Sequence, residues 1–234
     1  MELTKMTMKE ISDYFETCKT IIIPFGATEE HSNALPLGTD TFTAEALAVE
    51  VGKAAKRVVG PTISVGNCYS VTYEFKGTIS MSPQTLTAVV IDYLRSLYKD
   101  GARNFLFVNG HGGNIAPLRC AIDTLSIEFK SSRFAVGSWW LFKELAELYD
   151  NAGHAGRGEV SMMLYINEAL VHKECFTEEK IVPPPYFVSN DKTFEEVTKT
   201  GIIKDTQEGS RELGEKLFKK SVEVYLDLLK QLES

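Results

Sequence analysis

Asn104-Phe105-Leu106-Phe107-Val108 is a continuous apolar run that leads directly into Asn109-Gly110-His111-Gly112-Gly113-Asn114. A short run that is apolar at consecutive positions reads as a strand buried on both faces, the pattern of a parallel sheet. Before it, Ser82-Pro83 opens a helical stretch that Gly101 terminates; after it, 115–129 reads as a helix. Thr20-Ile21-Ile22-Ile23-Pro24-Phe25 is a second buried strand, followed by a helix over 41–55 that Thr39 or Asp40 is expected to cap. Residues 57–65, broken by Gly60-Pro61, and 134–139 are further strand candidates. Helices are expected over 141–149, 159–170 and 208–232, and an extended loop at Pro183-Pro184-Pro185. Strands alternating with helices define the expected class: α/β, with a mostly parallel sheet covered by helices. No repeat, low-complexity tract or linker divides the chain, so 1–234 is read as one domain.

Composition narrows the function. A chain of 234 residues is long enough for a sizeable core. A formal charge of -7 without a dense Lys/Arg cluster argues against a nucleic-acid partner. Cys18, Cys68, Cys120 and Cys175 lie far apart with no C-x-x-C pair, and read as buried free thiols in a reducing compartment. The first residues lead into a polar amphipathic stretch rather than a secretory signal, and no apolar run approaches the ~20 residues that span a bilayer. A cytoplasmic protein with no membrane partner is expected.

Three of the 4 histidines interrupt apolar runs in short polar segments. These are Glu29-Glu30-His31 with Asp40 downstream, the His111 segment, and His154-Ala155-Gly156-Arg157-Gly158-Glu159. Together they offer two imidazoles and three or four carboxylates, the ligand set of a two-metal hydrolytic centre. The first two follow strands, where α/β proteins place their chemistry. Each residue also has a plainer reading. Asp40 is either an N-cap or a carboxylate that bridges two cations. The glycines around His111 permit close backbone approach to a ligand, but they also suit an ordinary strand-to-helix turn. Glu159 is a ligand or a favourable first-turn acid, and His154 a ligand, a proton-transfer group or a surface residue. His172, among Lys and Glu, reads as surface.

Pro24-Phe25-Gly26-Ala27-Thr28-Glu29-Glu30-His31, continuing to Leu35-Pro36-Leu37-Gly38-Thr39-Asp40, resembles the first signature of the creatininase (creatinine amidohydrolase) family. Asn109 to Asn114 is similar to its second signature, and His154-Ala155-Gly156 with Glu159-Val160-Ser161 to its third. The resemblance implies a three-layer α/β/α sandwich and two divalent metal ions per subunit, zinc in the first place, manganese or iron as alternatives. Residue by residue, Glu29, Asp40 and His111 match the ligands of one ion; His31 and Asp40 match ligands of the other. A Glu that completes the second site in creatininase is here Gly113, and Glu159 is its natural replacement. His154 matches the family histidine that handles protons, with Glu159 beside it in the catalytic set. Ser70, Gly112, Gly113 and Arg157 are expected on the substrate side, where Arg157 could hold a phosphate.

The implied activity is amidohydrolysis of a C–N bond, other than a peptide bond, in a small cyclic amide or formamide. A metal-bridging hydroxide would attack and His154 would protonate the leaving nitrogen. Gly113 moves the expected substrate away from creatinine itself. Family members with the Gly-Gly motif include a formamide hydrolase, a peptidase of a modified precursor peptide and a ring-opening hydrolase of an oxidised inositol. Two alternatives stay open: a C–C ring-opening hydrolase of a cyclitol resembling 3-dehydro-scyllo-inosose, and a small-molecule-binding α/β module. Family members assemble as dimers or hexamers, so a homo-oligomer is expected, with Trp139-Trp140 at an interface or Trp139 in the core.

Overall fold

Strand β1 (Thr20–Phe25) is buried at every position, and β3 (Asn104–Asn109) at every position but its first. The structure is a computed structural model; it describes residues 1–146, 148–149, 153–179, 198–203 and 207–234. The expected loop at Pro183-Pro184-Pro185 lies outside the described residues. β1 and β3 pair in parallel, Ile21 opposite Phe105 and Ile23 opposite Phe107. With β2 (Val58–Val59) outside β1 and β4 (Arg133–Ser138) outside β3, the order is β2-β1-β3-β4, all parallel.

Successive strand side chains point to opposite faces, so one apolar run feeds two cores. Ile21, Ile23, Phe25, Phe105 and Phe107 pack with Phe15 of α1 (Met8–Thr17). The same cluster takes Leu86, Val90 and Leu94 from α3 (Pro83–Asp100) and Leu118 and Leu125 from α4 (Ile115–Glu128). On the opposite face Ile22, Leu106 and Val108 meet Leu47 and Val51 of α2 (Thr39–Ala55) and Met162 of α5 (Arg157–Asn167). Leu217, Tyr225 and Leu229 of α6 (Arg211–Glu233) complete that cluster. The result is three layers, α/β/α. Burying one such Leu, Ile or Phe contributes roughly 1.5–3 kcal/mol, which explains why these strands tolerate no polar position mid-run.

Local signals set the helix ends. Thr7 and Glu10 form a capping box at α1. Ser82 accepts from the Thr85 N–H at 3.1 Å with Pro83 at the first turn of α3, and Gly101, at φ 119, ends it in the left-handed region that favours glycine. At α2 the N-cap is Gly38 with no side-chain cap, and Asp40 sits inside the first turn. The capping reading of Asp40 is therefore corrected: its carboxylate is turned to the strand ends.

Three other expectations change. The 57–65 strand is only Val58–Val59, because Pro61 carries no N–H for the ladder; Ile63 returns for a single parallel bridge to Phe25. Within 141–149 the described residues form no α-helix. Two 3-10 turns, Trp139–Leu141 and Lys143–Leu145, flank Phe142, whose extended backbone lets its ring pack edge-on against Tyr225. Of the cysteines only Cys68 is buried; all 4 are free, Cys18 and Cys175 are half-buried and Cys120 is exposed. Trp139 lies in the core and His172 is exposed. Among the described residues no helix is long and apolar enough to cross a membrane.

Candidate metal centre

Glu29 and His31 follow β1, and His111 follows β3, at the carboxyl ends of two adjacent parallel strands. The first turn of α2 closes against them: Thr41 donates its hydroxyl to the Ala27 carbonyl at 2.8 Å. A Cβ at Gly110 would collide with the Asp40 carbonyl, so glycine there is what lets Asp40 come in. Asn109 and Asn114 brace the other side. Asn109 donates to the His111 carbonyl at 2.9 Å and to Ser138 at 3.0 Å, and Asn114 donates to the Gly26 carbonyl at 2.9 Å.

The two strand-end histidines are oriented by backbone carbonyls, which can only accept. His111 Nε2 lies 2.8 Å from the Asn67 carbonyl, so Nε2 carries the proton and Nδ1 faces the carboxylates. Nδ1 is 2.8 Å from Glu29 Oε1 and 3.1 Å from Asp40 Oδ2. His31 uses the opposite tautomer. Its Nδ1 lies 3.2 Å from the Glu29 carbonyl, leaving Nε2 3.1 Å from Asp40 Oδ1 and 3.7 Å from Glu159 Oε2. Asp40 thus shows one oxygen to each histidine.

Glu159 is the third residue of α5. Ala155 sits at φ 52, a region alanine rarely adopts, and its N–H donates to Glu159 Oε2 at 2.6 Å. The plain reading of Glu159 as a helix-start acid and the reading as a site carboxylate both describe its position. His154 closes the group: Nε2 donates to the Glu30 carbonyl at 2.7 Å, and Nδ1 lies 3.7 Å from Glu29 Oε1.

Burial alone would depress the pKa of His31, but the Asp40 and Glu159 carboxylates outweigh it and hold the imidazole well above its ordinary value. His111 is likewise raised, burial being outweighed chiefly by Glu29. Burial would raise Glu29, yet His111 and His154 hold it well below the usual carboxylate range. For His154, burial and the neighbouring His31 oppose the proton, while Glu29, Glu30 and Glu159 prevail and raise it.

These residues line a cavity of about 420 Å³ together with Ser70, Gly112, Gly113, Trp140, Gly153 and Ile203. His31 is fully buried behind it. None of the described lining residues is Lys or Arg. Arg157 is exposed at the start of α5 and is not brought to the cavity, because the helix begins there and turns Glu159 inward instead.

Several groups at the site carry no signal of their own in the sequence. Thr72, fully buried, donates its hydroxyl to Glu29 Oε2. Cys68 falls into one group with Glu29 and His111 as a candidate metal-ligand set, beside Glu29–His31–His154 and His31–Asp40–Glu159. Burial pushes the Cys68 thiol up. Thr72 and Cys68 belong to a turn-rich segment without periodicity, so only the tertiary fold reveals them. Glu30, inside the first motif, is buried as well, and its Oε2 has no hydrogen-bond partner among the described residues.

The donor set fits divalent metal on the structure's own terms. Buried carboxylates need a cation, and the described lining residues offer only imidazoles for that charge, with no Lys or Arg. Asp40 Oδ2 is buried with no hydrogen-bond partner among the described residues, and each histidine has one nitrogen fixed by a carbonyl and the other aimed at carboxylate, as metal-ligating imidazoles are.

Fold and site together define a hydrolase of α/β/α architecture with its acidic and imidazole groups at the strand ends. The family model for creatininase, creatinine amidohydrolase, matches residues 4–229, and the chain belongs to that family. A mycofactocin precursor peptide peptidase of Mycolicibacterium smegmatis is 30% identical over 220 residues, 90% of this chain and 84% of the relative. The creatinine amidohydrolase of Pseudomonas putida is 26% identical over 235 residues, 90% and 88% of the two chains. A crystal structure of creatinine amidohydrolase matches with a TM-score of 0.86 at 25% identity, over 98% of this chain and 96% of that one. Similar solved structures include a creatininase of Zn–Zn type and one with manganese. The expected family and three-layer fold are both borne out.

Proposed function

We propose that this chain is a two-metal amide hydrolase that cleaves a C–N bond in a small cyclic amide or formamide other than creatinine. The observation that carries the reading is Asp40, whose two oxygens each lie 3.1 Å from a ligand-oriented nitrogen of a different histidine. In this reading Glu29, Asp40 and His111 hold one ion, and His31, Asp40 and Glu159 the other. Zinc heads the candidates and manganese follows, in keeping with the zinc and manganese forms of the similar structures. Bound metal supplies an acidified water and a polarised carbonyl.

The chain's own residues do the rest. His154 lines the cavity with Nε2 tied to a carbonyl, so Nδ1 is the nitrogen that gives a proton to the leaving amine. Gly112, whose missing Cβ would face open space, leaves room for the substrate beside His111, and Gly113, Ser70 and Trp140 line the same cavity. Glu159 takes the place of a carboxylate at position 113, where a Cβ would collide with the Asn67 carbonyl and lie 2.6 Å from His111 Nε2.

A terminal amide of a peptide is the second reading, favoured by the identity to peptide peptidases and by a second cavity of about 660 Å³ that includes Glu30, against which His154 is held. The deciding assay incubates metal-loaded protein with cyclic amides, formamides, short peptides and cyclitol diketones. Release of amine, ammonia or formate from the first two is expected. Cleavage confined to peptides moves the assignment to the second reading; acid release from the diketones alone overturns both.

A further inference from the structure

We infer that Cys68 is a further protein ligand of the ion held by Glu29, Asp40 and His111, so that one of the two metal positions carries a thiolate. The inference rests on the reading that the cluster binds divalent metal. Cys68 is 1% exposed, and its sulfur, a Glu29 carboxylate oxygen and a His111 ring nitrogen all lie within 4.8 Å of one another. A second, independent feature meets the same histidine: Asp40 Oδ2, buried and without a hydrogen-bond partner among the described residues, lies 3.1 Å from His111 Nδ1.

The segment that carries Cys68 is fixed from both sides. The Cys68 N–H donates to Ser80 Oγ at 2.8 Å, the Asn67 side chain donates to the Met81 carbonyl at 2.9 Å, and the Asn67 carbonyl accepts from His111 at 2.8 Å. The thiol is therefore presented by backbone that is itself locked to the metal-facing histidine. Glycine at position 113 is what leaves this segment its place. Among the described residues no other cysteine joins a group of three candidate ligands.

Binding breaks the S–H bond, sends the proton to water and forms a sulfur–metal bond, with no change of oxidation state. The second position, His31–Asp40–Glu159, offers only nitrogen and oxygen. A thiolate favours zinc and cobalt, whereas carboxylate and imidazole alone accept manganese, so the two positions differ in metal preference. Zinc belongs to the Cys68 position and manganese exchanges at the other.

The test titrates metal-free full-length protein with Co(II) and records absorption. Bound Co(II) gives visible d–d bands, and a Co(II)–thiolate bond adds charge-transfer absorption in the near ultraviolet. Wild type is expected to show both, and Cys68→Ser to keep the d–d bands, lose the charge-transfer band and hold zinc at least roughly 10–100-fold more weakly against a chelator. Should Cys68→Ser not fold, X-ray absorption of zinc-loaded wild type decides through a sulfur neighbour at about 2.3 Å. Co(II) bound with d–d bands but no charge-transfer band, or zinc with no sulfur neighbour, overturns the role of Cys68 and leaves the metal centre standing. No uptake of Co(II) or zinc overturns both.

Discussion

Oδ2 of Asp40 lies 3.1 Å from Nδ1 of His111, and it is a buried oxygen with no aligned hydrogen bond among the described residues. Its partner oxygen lies 3.1 Å from His31. A carboxylate so placed, inside the first turn of a helix and between two imidazoles, is what a shared metal ligand requires. Asp40→Ala is expected to abolish binding of both ions and nearly all hydrolysis, while circular dichroism stays that of a folded α/β protein. Elemental analysis after metal-replete purification checks it, and two retained ions per chain would refute the bridging role.

In the proposed reading His154 contributes through its proton rather than through metal. His154→Ala is expected to keep the metal content of wild type and to lose turnover by roughly 10²–10⁴-fold, the usual contribution of a positioned acid or base. Normal turnover in that variant removes the proposed acid.

Glu159 is expected to matter to one ion only. Glu159→Gln preserves an oxygen for the Ala155 N–H but weakens the His31 position, with affinity there falling by roughly 10–100-fold and the His111 position unchanged. Calorimetric titration separates the two steps. Equal weakening of both would show that Glu159 serves the cluster as a whole.

At position 113 the space belongs to Asn67, whose carbonyl a Cβ would strike. Gly113→Glu is therefore expected to cost about 1–3 kcal/mol, typical of overpacking, and to disturb His111 rather than to restore a creatininase-like ligand. Chemical denaturation of the metal-free protein measures it; an unchanged midpoint would mean that the Asn67 segment yields freely.

Far from the site, Arg57 clasps Glu233 with Nε at 2.7 Å and Nη2 at 2.9 Å, joining the end of α6 to the start of β2. The hydrogen bond from Arg57, opposed by burial, lowers the Glu233 pKa from its ordinary 4.5. A depressed folded-state pKa means stability that is present above the ordinary value and lost as pH falls through the folded one. Glu233→Gln is expected to cost about 1 kcal/mol at neutral pH, with the gap to wild type closing below about pH 4.5. A gap that stays constant down to pH 3 on the ~1 kcal/mol scale of such pairs would exclude the ion pair as its source.

The sequence by itself determined the parallel sheet, because a run such as Phe105-Leu106-Phe107-Val108 has two apolar faces and needs a core on each. It also determined Ser82-Pro83 and Gly101 as helix ends, through local hydrogen bonds and backbone preference, and the family, through three motifs in fixed order. Tertiary structure decided what lies between the motifs. Whether Asp40 caps a helix or joins two histidines depends on Gly110 admitting α2 to the strand ends, a contact 70 residues away in the chain. Whether Arg157 or Glu159 faces the cavity depends on where α5 starts. Thr72 and Cys68 had no pattern to announce them, since an irregular segment takes its position from what it packs against. Local propensity can be read along a chain; convergence of distant side chains on one site is a property of packing alone.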